Sequence, residues 1–225
     1  MLMKTLETRF CLEMPVNCMI KKMFAFDVDG VLIDAQPGGF IQLAEKMGKD
    51  VSKLHEEYQK RKNKGPWGLD KLAKLFEGCK KDELVSKANE IVSKSLMPGA
   101  KETILELKQM GFIIGVFTSN PLEIIDALKI YMQIDVAVGN ELIYNNETAT
   151  GGIIKMDRYQ KAEKLKDYVQ KNDISQLYIV GDSITDLPMA ELGTFISFNS
   201  KDIEVDNKAR YIIKNKNLKE ILKLL

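Results

Sequence analysis

The carboxylates that could do chemistry in this chain cluster where apolar segments end. Asp27 and Asp29 stand two residues apart just after Met23-Phe24-Ala25-Phe26, and Gly181-Asp182-Ser183-Ile184-Thr185-Asp186 follows Leu177-Tyr178-Ile179-Val180. Two such acidic loops brought together would repel each other unless a cation lay among them. A hard divalent ion, Mg²⁺, suits that need because it takes oxygen ligands and keeps waters for a substrate phosphate. Thr118-Ser119-Asn120 ends another apolar run and offers hydroxyl and backbone donors, while Lys161 offers an ammonium. Opposed to phosphate oxygens, these groups make a phosphoryl-transfer layout. Asp186 would hold a metal-bound water or Lys161, and Ser183 and Thr185 could orient them.

The elements that must position these groups follow from the hydrophobic pattern. Residues 23–29 read as a buried strand that ends in a polar loop. Residues 38–97 place Leu43, Met47, Leu54, Leu72, Leu84, Ala88 and Val92 at helical spacings between lysines and glutamates, which predicts four amphipathic helices and no strand, with a break at Lys64-Gly65-Pro66-Trp67-Gly68. Beyond Met97, helix and strand alternate. Strands are expected at 112–117, 134–138, 177–180, 195–198 and 211–213, helices at 98–110, 121–131, 158–171, 186–192 and 217–224, and a hairpin over 142–154 around Asn145-Asn146. That alternation predicts an α/β fold, a Rossmann-like parallel sheet flanked by helices, with ligands bound beyond the carboxyl ends of the strands.

Composition limits the alternatives. At 225 residues and 25.5 kDa the chain fits one domain carrying a small insertion. Its 45% hydrophobic and 29% charged residues can build a real core. Lys plus Arg number 33 against 32 Asp plus Glu, so the basic excess of a phosphate-reading nucleic-acid binder is missing. Cys11, Cys18 and Cys79 form neither a disulfide framework nor a zinc pattern, and residues 1–20 are broken by charges and Pro15. The expectation is a cytoplasmic protein with no membrane span and no nucleic-acid partner.

Phe26-Asp27-Val28-Asp29-Gly30-Val31-Leu32, Val116-Phe117-Thr118-Ser119-Asn120, a downstream lysine and Gly181-Asp182-Ser183-Ile184-Thr185-Asp186 together resemble the four ordered motifs of the haloacid dehalogenase superfamily, over residues 22–225. The resemblance implies that Asp27 is a nucleophile that accepts the phosphoryl group and that Asp29 is the acid and base. It implies that Asp27, the backbone carbonyl of Asp29 and Asp182 hold Mg²⁺, and that Thr118, Ser119, Asn120 and the lysine bind phosphate. Lys155 and Lys161 both lie in the right region, and Lys161 is preferred because it opens a helix just after the hairpin. Asp29 argues against dehalogenation, since the dehalogenases lack an aspartate there. On this resemblance, residues 21–36 and 98–225 form the core, 37–97 a helical cap, and 1–20 an N-terminal extension.

Spacing and the C-terminal tail are most similar to phosphoserine phosphatases, but that branch carries a glutamate where this chain has Gln36, and Arg61 is the one arginine in the cap block. The implied activity is therefore hydrolysis of a small phosphorylated metabolite, with phosphoserine one candidate among many. A phosphomutase of the same fold and a non-catalytic binding module are the rival readings. His55 is expected on a solvated face and Trp67 in a turn between cap helices; Asp34 and Gln36 lie close after the nucleophile loop and could face the cleft, but that is the lesser of the two readings for them.

Overall fold

The structure, a computed structural model, describes residues 20–61 and 68–225. The expected N-terminal extension up to residue 19, the break at 64–67 with Trp67, and the side chain of Arg61 lie outside the described residues.

Strand β1 (Lys22–Phe26) is the middle of the sheet because its residues are apolar on both faces. Phe24 and Phe26 point to one layer, Met23 and Ala25 to the other, as a period of two demands. Phe24 stacks on Tyr178 with ring centroids 4.7 Å apart and meets Phe112 edge-on. Fully burying one such ring contributes roughly 1.5–3 kcal/mol. The other strands are β2 (Phe112–Pro121), β3 (Val136–Asn145), β4 (Thr148–Ile153), β5 (Gln176–Gly181), β6 (Thr194–Phe198) and β7 (Tyr211–Ile213). They assemble in the order β4-β3-β2-β1-β5-β6-β7, all parallel except β4.

Register decides where the functional residues emerge. Phe26 of β1 pairs with Val116 of β2 and with Val180 of β5, so the chain leaves all three central strands at one level. Asp27 continues the ladder by donating its N–H to Val180 O at 3.0 Å. Asp27, Thr118 and Asp182 consequently issue from one edge of the sheet.

Among the described residues, four helices separate β1 from the rest: α1 (Gly39–Lys46), α2 (Ser52–Arg61), α3 (Leu69–Lys74) and α4 (Lys81–Ser95). They bury Leu43, Leu72, Leu84, Ala88 and Val92, and Phe40 stacks on Phe76 at 5.6 Å. The chain enters and leaves this insertion side by side, with Asp34 N bonded to Ser95 O at 2.6 Å and Met97 N to Leu32 O at 3.0 Å. Its far side is stitched to β4, where Gly78 N donates to Ala149 O and Ala149 N to Cys79 O, both at 2.8 Å. Helices α5 (Ala100–Gln109), α6 (Leu122–Lys129), α7 (Lys161–Lys171) and α8 (Ile203–Lys208) complete the layers.

Several details depart from the sequence pattern. Thr118, Ser119 and Asn120 belong to β2, which runs through an irregularity to Pro121 and gives way to α6 only at Leu122. The expected strand at 134–138 and the first hairpin arm are one strand, β3, although Gly139-Asn140 looks like a break. A Cβ on Gly139 would lie 2.4 Å from the Ile125 side chain, so this glycine marks close packing against α6 and not a turn. The hairpin turns at Asn146 and Glu147, both at positive φ, as a tight two-residue hairpin requires. Residues Ile184–Glu191 and Leu218–Leu224 are 3₁₀ rather than α, the former carrying Pro188. Helix α8 follows from an N-cap at Asp202, which accepts from Glu204 N at 3.0 Å.

Candidate active site

The residues that leave the central strands surround a cavity of about 820 Å³. Its floor is made by Asp27, Thr118, Lys161 and Asp182, and Phe40, Ile41, Leu69 and Leu72 of the helical insertion also line it, so polar and apolar side chains share one cavity.

Lys161 is the hub of the floor. Its ammonium lies 2.8 Å from Asp27 Oδ2 and 2.8 Å from Asp186 Oδ1, with all three side chains buried. Burial opposes its charge, yet the carboxylates of Asp186 and Asp27 hold its pKa above the ordinary lysine range. Lys155, the other candidate, is exposed and pairs with Glu141 outside this floor.

The crowding of acids is equally clear. Burial and the Asp186 carboxylate push Asp27 up to about 7, and burial followed by Asp186 and Asp27 pushes Asp182 up to about 8. Asp186 is committed within the protein. Its Oδ1 receives Lys161, while Oδ2 receives the backbone N–H of Asp182 and of Ser183, each at 3.1 Å, and the Ser183 hydroxyl at 3.2 Å. This capping box at the start of the 184–191 turn fixes the loop that presents Asp182. Gly30 faces that loop at φ +81°, and a Cβ there would sit 2.1 Å from Asp182 Oδ2. Only glycine lets the two loops approach this closely.

Asp29 is held by two donors, Gly39 N–H to Oδ1 at 2.8 Å and Asn120 Nδ2 to Oδ2 at 3.0 Å. Burial raises its pKa and these two donors pull it back in part. Asn120 also reaches Thr118: its backbone N–H and its amide donate to Thr118 Oγ1 at 3.2 and 3.1 Å. A hydroxyl has two acceptor sites and one proton. With both acceptor sites used, Thr118 keeps its proton for the cavity. Asn120, read from the sequence as a phosphate ligand, thus spends its side chain on Asp29 and Thr118.

The donor set fits a divalent cation. Asp27, Asp182 and Asp186 each offer a carboxylate oxygen, all within 4.8 Å of one another, and hard oxygen donors suit Mg²⁺. Asp186 accepts four hydrogen bonds, whereas Asp27 accepts two, from Val28 N and Lys161, so Asp27 and Asp182 keep more acceptor capacity for an ion.

Sequence reasoning missed the Gly39 N–H, which only the packing of α1 brings to Asp29, and Arg158, which lines the cavity with no motif to announce it. His55, expected in solvent, is half-buried and also lines the cavity, as do Asp34 and Gln36. Asp34 pairs there with Lys216 at 2.8 Å.

Comparison with known proteins places this geometry. The haloacid dehalogenase-like hydrolase family pattern matches residues 24–191. Phosphoserine phosphatase of Archaeoglobus fulgidus is 30% identical over 191 residues, covering 83% of this chain and 55% of that protein. The chain therefore spans about half the length of that relative. Phosphoserine phosphatase of Methanocaldococcus jannaschii is 27% identical over 212 residues, covering 91% of this chain and 98% of that one. A solved phospho-aspartyl intermediate analogue of phosphoserine phosphatase superposes with a TM-score of 0.73 at 25% identity, over 91% of this chain and 99% of the other. The chain belongs to the haloacid dehalogenase-like hydrolases.

Proposed function

We propose that this protein is a Mg²⁺-dependent phosphatase that hydrolyses a small phosphate monoester through an aspartyl-phosphate on Asp27, in the cytoplasm. The observation that carries the reading is the Lys161 ammonium 2.8 Å from both Asp27 and Asp186, beside Asp182 and the Thr118 hydroxyl at the floor of one cavity. Asp27, Asp182 and the backbone carbonyl of Asp29 would hold the ion, which when bound neutralises charge between the nucleophile and the phosphoryl oxygens.

In this reading Asp27 attacks phosphorus and the bond to the leaving oxygen breaks, while the Asp29 carboxyl gives that oxygen its proton. Asp29, now a carboxylate, takes a proton from the water that attacks the acyl phosphate, and inorganic phosphate leaves. Lys161 and the Thr118 hydroxyl stabilise the phosphoryl oxygens, and the Ser119 backbone lies alongside them. Residues 37–97 act as a cap that keeps bulk water from the site. Phosphoserine is the first substrate to test, given the relatives, although Gln36 is neutral where an ammonium group would favour an acid.

Release of inorganic phosphate from p-nitrophenyl phosphate and from a panel of phosphomonoesters, with Mg²⁺ and with a chelator, tests the reading. Mg²⁺-dependent release that vanishes in Asp27→Asn is expected. An isomeric phosphate ester in place of free phosphate would make the protein a mutase, and no turnover at all would leave a binding module.

A further inference from the structure

Resting on that reading, we infer that Asn140, which no motif includes, is a positioning residue that ties the phosphate-facing strand end at Thr118-Ser119 to the segment carrying Lys161. Asn140 is buried, with 1% of its surface exposed. Its Nδ2 donates to Ser119 O at 2.8 Å and to Met156 O at 3.0 Å. Its Oδ1 accepts from Lys155 N at 2.9 Å and from Met156 N at 3.0 Å. A side-chain amide has two N–H donors and an oxygen with two acceptor sites, so its capacity is fully used. Such a network in a buried setting rigidifies what it joins.

The backbone cannot do this job itself. Pairing between β2 and β3 shifts between Phe117 and Pro121, and the β3–β4 ladder ends where Glu141 faces Ile153. Residues 118–120 and 155–156 therefore lie beyond regular ladders, and the Asn140 side chain bridges them. On one side it holds the Ser119 carbonyl, which shares a planar unit with the Asn120 N–H. That N–H donates to Thr118 Oγ1 at 3.2 Å, so the brace reaches the hydroxyl that faces the cavity. On the other side Met156 leads into a turn closed by Tyr159 N on Asp157 Oδ1 at 2.6 Å and Gln160 N on Asp157 O at 3.2 Å. Lys161 follows at once. Asn140 thereby sets the spacing between the two phosphate-binding elements, whereas Asp27 and Asp182 come from β1 and β5 and do not touch it.

The test compares wild type with Asn140→Asp and Asn140→Ser. Aspartate keeps the shape and the acceptor but loses both donors, and serine removes most of the bridge. At a temperature where each variant is folded, kcat for p-nitrophenyl phosphate should fall about 10²-fold, the scale of an ångström-level misplacement. Inhibition by inorganic phosphate should weaken, and the Mg²⁺-induced rise in Tm should persist. Variants that are less stable yet keep the wild-type kcat and phosphate inhibition would overturn the inference and leave Asn140 a structural brace. Wild type inactive on every phosphomonoester with Mg²⁺ would instead sink the functional reading. If neither variant folds, the Asn140 side-chain amide resonances of wild type decide: they should move when inorganic phosphate is added with Mg²⁺, and unmoved resonances refute the coupling.

Discussion

Asn120 and Asp29 lie 91 residues apart in the chain and are joined by one hydrogen bond of 3.0 Å, from the amide Nδ2 to the carboxylate Oδ2. The bond ties the proposed acid and base to the same residue that orients the Thr118 hydroxyl. Removing it in Asn120→Ala leaves Asp29 held by the Gly39 N–H alone among the described residues and frees it to turn. Proton delivery matters most when the leaving group is a poor one. The kcat/KM for an alkyl phosphate should therefore fall about 10-fold or more, against a smaller loss for p-nitrophenyl phosphate, because general acid catalysis typically contributes 10²–10⁴-fold where it is needed. Equal losses on both esters would show that Asn120 does not act through Asp29.

Lys161 and Lys155 make opposite predictions. Lys161→Met takes the cation from between Asp27 and Asp186 and leaves both carboxylates buried without it. Breaking a buried pair in this way costs about 3–5 kcal/mol, and hydrolysis should be lost as well. Lys155→Met removes an exposed partner of Glu141, with an effect of about 1 kcal/mol or less and activity retained. Denaturant melts and a phosphatase assay on the two variants check this directly.

The contrast between these two lysines shows what a sequence carries and what it does not. The central strands and the acids at their ends were legible because an apolar run that stops at Asp27, and another that stops at Gly181-Asp182, are local patterns. The four insertion helices were legible from their apolar spacing. The placement of Asn120 against Asp29, and of the Gly39 N–H on the same carboxylate, depends on how α1 and β2 meet in space, and no local pattern encodes it. Gly139-Asn140 misled for a related reason. Glycine in a strand reads as a break unless the close approach of Ile125 is known, and so β3 looked like two strands. The 3₁₀ geometry of 184–191 and 218–224 turns on a one-residue change in hydrogen-bond partner, which side-chain periodicity resolves poorly.

Asp182 offers a test of the cation that avoids catalysis. Without an ion its carboxyl is pushed up to about 8 by burial and by Asp186 and Asp27, so at neutral pH the fold holds it mostly protonated while the unfolded chain ionises it, and that difference costs stability. Asp182→Asn should therefore raise the Tm of the metal-free protein. Wild type should gain stability on adding Mg²⁺, by about 2.7 kcal/mol at a hundredfold excess over Kd, and the variant should gain little. Thermal melts with a chelator and with Mg²⁺ provide the measurement. A wild-type Tm indifferent to Mg²⁺ would contradict the proposed ligands.

Glu123 predicts a pH effect away from the active site. It sits in the first turn of α6, accepts from the Tyr144 hydroxyl through Oε1, and has Oε2 buried without a hydrogen-bond partner among the described residues. Burial raises its pKa above the ordinary 4.5, and the Tyr144 bond offsets this only in part. The folded state thus holds this proton more tightly than the unfolded chain. The sign follows from linkage: its contribution is greatest below about pH 4.5 and is lost as pH rises through the raised folded value. Glu123→Gln keeps the acceptor for Tyr144 and removes the ionisation. Whatever offset the new amide brings, the Tm of the variant minus that of wild type should grow between pH 4 and pH 7, since only wild type must bury a charge. Melts across that range settle the matter, and a difference that stays flat or shrinks with rising pH would mean the Glu123 carboxyl ionises as easily in the fold as in water.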